Sequence, residues 1–321
     1  MKTKTLIIAI VSTIIITSCK KKEESISTVT PTNTGNSYSS LQDFYNQNGV
    51  QMQFYTVDAS AGGMFVTPKG TTVTIPANAF TTQLGGPVSG IVTIEFKDIY
   101  GKNDMLLSNV TSIGTDGKPM VSAGEFFIKA TSSGSDLLMS SGQMITVEQP
   151  NPSGVVDTAM TAFIGVADSA AGVAWWPAWF PILTGAVSST ASEYIFTMYN
   201  YSASTNGGTW CNSDNSSYFS AYAQTSLELA PTIDPDEYSV DVFVSFTGIN
   251  SMVHVYRSSA TNFDYAYAPV GLPATVIAIG VKNGKLYSSF TPVTITGGLT
   301  TNFSLTETTD AAFKAQLNAL N

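Results

Sequence analysis

Histidine, cysteine and charged residues are all scarce in this sequence. Of its 321 residues, one is histidine, two are cysteine and 12% are charged. Serine and cysteine catalysts of the triad type need a histidine beside the nucleophile. The single histidine, His254, lies in the strand-like run 252–256. We therefore expect a strand residue there, with a hydrogen-bond partner for a ring nitrogen. No catalytic residue is assigned, and the sequence predicts a protein that is not an enzyme, with an unrecognised hydrolase as the alternative.

The same scarcity limits metal binding. A structural zinc site needs four nitrogen or sulfur ligands, more than this chain supplies. Calcium needs only oxygen ligands, and two oxygen-rich segments are the acids Asp234, Asp236 and Glu237 and the run 212–215. Neither has the spacing of an EF-hand loop. We expect turns that bond their own backbone, with calcium at the three acids or at the run 212–215 as the alternative and no other cofactor.

Basic residues are outnumbered by acidic ones, 14 against 23, which leaves a net charge of −9. Nucleic-acid binding requires clustered lysine and arginine, so nucleic acid is not an expected partner. The low charge accompanies many threonine, serine, glycine, valine and isoleucine residues. These residue types favour half-buried strands and tight turns, and the composition therefore predicts an all-β fold.

The N-terminus carries a targeting segment. Lys2 and Lys4 precede an apolar run at 6–16, the arrangement of a secretory signal peptide. At about 1.5 Å per helical residue, the run spans only about half of a ~30 Å hydrocarbon core. We therefore predict a signal peptide over residues 1–18.

Residues 16–19, Ile-Thr-Ser-Cys, resemble the lipobox of bacterial lipoproteins. The resemblance implies cleavage before Cys19, covalent lipid on that cysteine and membrane anchoring by several acyl chains, at about 0.8 kcal/mol per buried methylene. The start Cys-Lys-Lys-Lys-Glu-Glu resembles Bacteroidetes lipoproteins, some of which use such a start for surface export; a solvated tether is the alternative. The resemblance implies an outer-membrane lipoprotein, and the sequence is compatible with a location on the cell surface or on the periplasmic face of that membrane. Lipidation also leaves Cys211 without a disulfide partner, so we expect a buried small hydrophobe there.

A polar tether over 19–40 is followed by a predicted short helix at 41–48. Beyond it lie β-rich runs that begin and end at glycine or proline. In one of them Val73 and Ile75 alternate with threonines, which is the period of a half-buried strand.

The runs Gly-Thr-Thr-Val-Thr-Ile-Pro-Ala-Asn-Ala-Phe at 70–80 and Val-Ser-Gly-Ile-Val-Thr-Ile at 88–94 resemble the signature of ZU5-like β-sandwich domains. The resemblance covers about residues 60–150 and implies a protein-interaction module without a general catalytic set. Some relatives cleave themselves at His-Phe-Ser, which this chain lacks. We expect the sandwich over 41–150.

A connector is predicted over 151–195, and it contains the aromatic residues Trp175, Trp176, Trp179 and Phe180. Two prolines among them prevent a regular helix. One interpretation places the aromatic cluster as a plug between two sandwiches. The other is sugar binding, because aromatic faces stack on apolar ring faces.

A second sandwich, immunoglobulin-like or related, is predicted over 196–321 from strand-like runs at 240–246, 252–256, 275–281 and 290–295. A closing helix at 309–320 has Thr308, Thr309 and Asp310 as capping candidates, and Phe313 and Leu317 share its apolar face.

The sequence thus predicts a non-catalytic binding or structural module on the cell envelope. Its partners are the membrane, through the lipid, and an unknown envelope protein or glycan. A glycan-binding accessory protein is the alternative.

Overall fold

Strands and turns alternate along most of the chain from residue 53 onward. The computed structural model describes residues 37–168, 172–178, 185–199, 208–232 and 239–320. In these ranges strands far outnumber helices, and the all-β prediction is confirmed. The predicted signal peptide, Cys19 and residues 20–36 of the predicted tether lie outside the described residues. The end of that tether belongs to the folded body instead, because Tyr38 is 1% exposed and packs in a buried cluster.

Helices and strands are numbered in chain order. The helices among the described residues are α1 (Leu41–Asn48), α2 (Lys102–Ser108) and α3 (Asp310–Asn318), with a 3-10 turn at Tyr218–Ala221. The strands there are β1 (Gln53–Asp58), β2 (Gly63–Val66), β3 (Thr72–Ile75), β4 (Phe80–Thr82), β5 (Ile91–Ile99), β6 (Val121–Ser132), β7 (Ser135–Met139), β8 (Ile145–Pro150), β9 (Thr161–Asp168), β10 (Gly172–Pro177), β11 (Gly185–Ser189), β12 (Glu193–Met198), β13 (Thr209–Asn215), β14 (Gln224–Pro231), β15 (Ser239–Phe246), β16 (Met252–Arg257), β17 (Phe263–Pro269), β18 (Pro273–Lys282), β19 (Lys285–Thr294), β20 (Leu299–Phe303) and β21 (Thr306–Glu307).

Two of the sheets form a sandwich. The first has the order β1-β5-β6-β13-β9-β10, with β7 and β4 continuing from β6, and the second has the order β11-β12-β8-β3-β2. Strand alternation sends Val73 and Ile75 of β3 into the shared core and Thr74 to the solvent. This alternation confirms the strand predicted at that position and follows from the two-residue period of a β-strand.

The third sheet has the order β20-β14-β17-β16-β15-β18-β19-β21. Its β14 and β20 are parallel, whereas its other paired strands are antiparallel. Side chains from both ends, such as Leu227 and Val276, belong to one buried cluster. The sheet therefore bends over itself and encloses its own core.

The two terminal helices were predicted within two residues at each end. Ser40 caps α1 by accepting a hydrogen bond from the backbone N–H of Asp43 at 3.1 Å. Thr309 caps α3 in the same way for Ala312 at 3.2 Å, and Phe313 on the predicted apolar face is buried. Each cap satisfies a backbone donor that the first helical turn leaves without a partner. Helix α2 was not predicted.

The segment predicted as a connector, 151–195, supplies strands to the sandwich instead. β9 and β10 extend the first sheet beyond β13, and β11 and β12 extend the second beyond β8. β13 lies between β6 and β9 and pairs with both. The sandwich therefore extends to residue 215 and not to 150, and the predicted boundary at 196 lies inside it. All the described residues belong to one compact unit.

A junction cluster of buried side chains joins the first sheet, the helices and the third sheet. Its larger members are Phe44, Leu106, Phe163, Trp175, Phe243, Met252, Ile277 and Phe313. The buried ammonium of Lys102 crosses the same junction and donates to the carbonyl oxygen of Phe246 at 3.0 Å. Among the described residues, no helix combines the length and the apolar character that crossing a membrane requires.

Candidate functional site

The adjacent residues Trp175 and Trp176 point to opposite faces of β10. Trp175 is fully buried, and its indole nitrogen donates to the carbonyl oxygen of Thr111 at 2.7 Å. Trp176 remains 41% exposed. Because successive side chains of a strand alternate between faces, Trp175 packs in the junction cluster and Trp176 lies on the other face of the strand. Both residues line an open groove, which we call the Trp176 groove.

One wall of the Trp176 groove is a tight hairpin over residues 113–119. Ile113 pairs with Pro119, and Gly114 forms a parallel bridge to Trp175. The turn needs a glycine at 117, because that residue has φ +79° and an added Cβ would lie 3.0 Å from the ring of Tyr267. The hairpin is thereby held both by β10 and by the third sheet.

The opposite wall is the 3-10 turn Tyr218–Ala221 and the residues after it. Phe219 is buried against Phe246, with ring centroids 5.1 Å apart, while Tyr222 is half-buried. The cavity between the two walls measures about 960 Å³. The described residues that line it are Gly114, Thr115, Asp116, Lys118, Pro119, Met120, Phe163, Trp175, Trp176, Pro177, Ser216, Ser217, Phe219, Ser220, Tyr222 and Gln224.

The charges that the described residues bring to the Trp176 groove are balanced. Among the described lining residues, Asp116 and Lys118 carry formal charge, and the Lys118 ammonium lies 3.0 Å from Oδ2 of Asp116. The hydrogen bond and the charge of Asp116 raise the pKa of Lys118. The same ammonium lies 5.9 Å from the ring centroid of Tyr267, within reach of a cation–π contact. The other polar side chains that the described residues contribute to the lining include several hydroxyls and the amide of Gln224.

Several predicted site residues lie outside the described ranges. These are Cys19, the aromatic residues Trp179 and Phe180, and the candidate calcium ligands Asp234, Asp236 and Glu237. Of the other two aromatic residues, Trp175 packs in the junction cluster and Trp176 is 41% exposed, and both line the groove.

His254 occupies a strand, β16, as predicted, and is 4% exposed. Its Nε2 lies 3.4 Å from Oδ1 of Asp241, but neither ring nitrogen has a hydrogen-bond partner among the described residues. The predicted satisfied nitrogen is thus not observed. The other carboxylate oxygen of Asp241 accepts from the Tyr45 hydroxyl at 2.6 Å, so the aspartate ties α1 to the third sheet.

Cys211 is buried in the sandwich core and has no disulfide partner, which confirms the predicted small hydrophobe. Burial raises the pKa of its thiol. A catalytic cysteine needs the opposite, an accessible thiol with a lowered pKa. His254 lies in the third sheet, away from the sheet that contains Cys211.

Residues 212–215, predicted as a turn or an alternative calcium loop, form the strand β13. No group of three or more His, Cys, Asp and Glu residues gathers into a metal site within the described ranges. Asp214 is fully buried and accepts at Oδ2 from the amide of Asn212 at 2.7 Å. The residue type suggested a turn, but the pairing of β13 with both its neighbours forces a strand.

β6 places a second carboxyl group, Glu125, in the interior beside Asp214. Glu125 is fully buried, and neither of its carboxyl oxygens has a hydrogen-bond partner among the described residues. Burial raises the pKa of Glu125 and of Asp214 well above their usual values, and the charge of Asp214 adds to the rise at Glu125. Sequence reasoning missed this pair, because nothing local marks an acid that a distant strand will cover.

Two comparisons with known proteins find no relative. No protein-family model matches the chain, and no curated protein sequence matches it. The features of the chain that bear on its function are therefore the N-terminal motif and the Trp176 groove.

Proposed function

We propose that this chain is a non-catalytic binding protein of the bacterial cell envelope, anchored in the outer membrane by lipid on Cys19. The signal-peptide pattern at 1–18 and the lipobox-like residues 16–19 support the anchor. The resemblance of residues 70–94 to ZU5-like domains supports an interaction role. In this proposal the polar residues 19–36 separate the folded body from the membrane.

The Trp176 groove is the proposed ligand site, and its form is the single observation that supports binding most strongly. Small-molecule sites are concave, mostly apolar and about 300–1,000 Å³ in volume, with a few polar groups that fix orientation. The groove has a volume of about 960 Å³, an apolar floor that includes Phe163 and Met120, and hydroxyl and amide groups around it.

The anchor is tested by feeding cells an alkyne analogue of palmitate and measuring its incorporation into the protein. The wild type is expected to carry the label, whereas Cys19→Ser is expected to accumulate as an unlabelled precursor of higher mass. Cys211→Ser is the matched control and keeps the label, since it changes the other cysteine. Label on the Cys19→Ser protein would refute lipidation at this residue.

The ligand site is tested by immobilising the wild type and the Trp176→Ala variant and passing envelope extract over both. Phe54→Ala is the matched control, because Phe54 is 67% exposed and lies on β1, at the opposite edge of the same sheet from β10. A component retained by the wild type and by Phe54→Ala, but lost from Trp176→Ala, supports the groove. Equal retention by all three proteins contradicts it.

A further inference from the structure

We infer that a second cavity, between the sandwich and the third sheet, binds a small uncharged apolar molecule. We call it the Met160 cavity, after a residue of its lining. It measures about 630 Å³, within the range of about 300–1,000 Å³ that small-molecule sites occupy. Its described lining residues include none of those that line the Trp176 groove, so the inference does not rest on the ligand site proposed above.

Apolar side chains and aromatic rings make up most of the described lining of the Met160 cavity. Met160 is 7% exposed and belongs to the floor, whereas Val155 is 64% exposed and belongs to the mouth. Between them the apolar surface is supplied by Val121, Pro150, Pro152 and the rings of Tyr100 and Tyr194. An apolar ligand that enters removes this surface from water, which is the favourable term in apolar binding.

The walls of the Met160 cavity are joined by two asparagine side chains. Asn250, in the turn between β15 and β16, donates to the carbonyl oxygens of Tyr100 and Ser122, both at 2.8 Å. Asn151 donates to the carbonyl oxygen of Val155 at 2.8 Å and to the turn between β11 and β12 at 2.9 Å. The loop that follows β8 and the third sheet are therefore both fixed to the sandwich. A preformed cavity of this kind loses little conformational entropy when a ligand binds.

The polar groups of the described lining are already committed within the protein. Each asparagine amide has two N–H donors, and the four bonds above use them all. The hydroxyl of Ser153 donates to Oδ1 of Asn151 at 2.6 Å, and the hydroxyl of Ser122 donates to Oδ1 of Asn212 at 3.1 Å. The Lys69 ammonium uses two of its three N–H donors in the same way.

The commitment of these groups selects the chemical class of the ligand. A sugar or another ligand rich in hydroxyl groups would exchange its bonds to water for a wall with few free partners, and buried polar groups without partners are unfavourable. An apolar ligand has no such requirement. The Met160 cavity therefore fits a hydrocarbon chain or ring and excludes a carbohydrate.

The test is a fluorescence titration with N-phenyl-1-naphthylamine, an uncharged apolar dye. The wild type is expected to bind one dye molecule in a saturable way. Val155→Glu is expected to bind it about tenfold more weakly, because it places a carboxylate at the mouth. Val156→Glu is the matched control: it adds the same charge one residue further along, at a side chain that is 48% exposed and is not among the described lining residues, and it is expected to bind like the wild type.

Two further measurements specify the site and the class. Met160→Gln keeps nearly the same size and makes the floor polar, so weaker dye binding is expected. Decanol is expected to displace the dye, and maltose is not. Near-ultraviolet circular dichroism checks that each variant is folded, so that a loss of binding cannot be attributed to unfolding.

Four results overturn the inference: no saturable binding of the dye, equal affinities of the wild type and Val155→Glu, displacement by maltose, or loss of dye binding in Trp176→Ala, which would place the dye in the Trp176 groove. Self-association of the wild type that Val155→Glu abolishes, measured by sedimentation velocity, also overturns it, because the cavity would then be an interface between two copies. None of these results decides whether envelope components are retained through Trp176, so the two sites are tested separately.

Discussion

Replacing Glu125 by glutamine is expected to make the stability of the protein less dependent on pH. Glu125 is fully buried without a hydrogen-bond partner for its carboxyl oxygens among the described residues, so the folded protein holds it in the protonated form well above the usual pKa of 4.5. Glutamine has nearly the same shape as the protonated acid and does not ionise. The variant thus removes the titration with little change in packing.

The sign and the size of the pH dependence that Glu125 gives to the stability follow from proton linkage. Above about pH 4.5 the unfolded chain releases the proton of Glu125, whereas the folded chain retains it because its pKa is raised. The contribution of the protonated Glu125 to the free energy of unfolding is therefore fully present below the pKa of Glu125 in the unfolded chain. It is lost as the pH rises from that pKa through the raised pKa of Glu125 in the folded protein. Within that window each such carboxyl lowers the free energy of unfolding by about 1.4 kcal/mol per pH unit. Glu125→Gln is expected to remove one such contribution, and Asp214→Asn another.

The assay is urea unfolding followed by far-ultraviolet circular dichroism at pH 5, 6, 7 and 8. Glu125→Gln is expected to gain stability relative to the wild type as pH increases. Glu148→Gln is the control for loss of a negative charge, because Glu148 lies half-buried on β8 in the other sheet of the sandwich. Parallel stability curves for the wild type and Glu125→Gln between pH 5 and 7 would refute a raised pKa.

Three further outcomes are expected. Trp175→Ala should lower the free energy of unfolding by about 3–5 kcal/mol in urea titrations, and Trp175→Phe by less, because it loses the indole hydrogen bond to Thr111 but keeps most of the buried volume; a Trp175→Phe variant as stable as the wild type would argue against a contribution from that bond. Cys211 should react with a thiol reagent in the native state far more slowly than in denaturant, since it is buried with a raised pKa, and fast native labelling would contradict this. Phe313→Ala should cost about 3–5 kcal/mol, because the ring is buried between α1 and β19; an unchanged thermal midpoint would show that α3 does not stabilise the fold.

Local sequence patterns predicted local structure well. The alternation around Val73 and Ile75 marked β3, and the capping residues before α1 and α3 marked the two terminal helices. Each of these signals lies within a few residues of the element that it predicts. The period of a strand or helix and the chemistry of a cap are properties of neighbouring residues, so they can be read without knowing the rest of the fold.

The division into domains and the site depended on distant partners. β13 pairs with β6 across about eighty intervening residues, and no local feature of the segment 209–215 indicates that partner. The two tryptophans of β10 were recognised as candidates, and alternation predicts that they face opposite ways. Which of them is buried depends on the hairpin 113–119 and the turn at 218–221, neither of which carries a motif.

The position of β13 also determines the order in which the molecule can be assembled. The strand is an interior member of the first sheet, between β6 and β9, yet it lies more than half-way along the chain from the N-terminus. During synthesis, β5 and β6 are available long before the strand that covers the free edge of β6. Until residue 215 has emerged, that edge is exposed to other chains, and an open β edge is a site of aggregation. A fragment that ends at residue 150 would keep this edge permanently open.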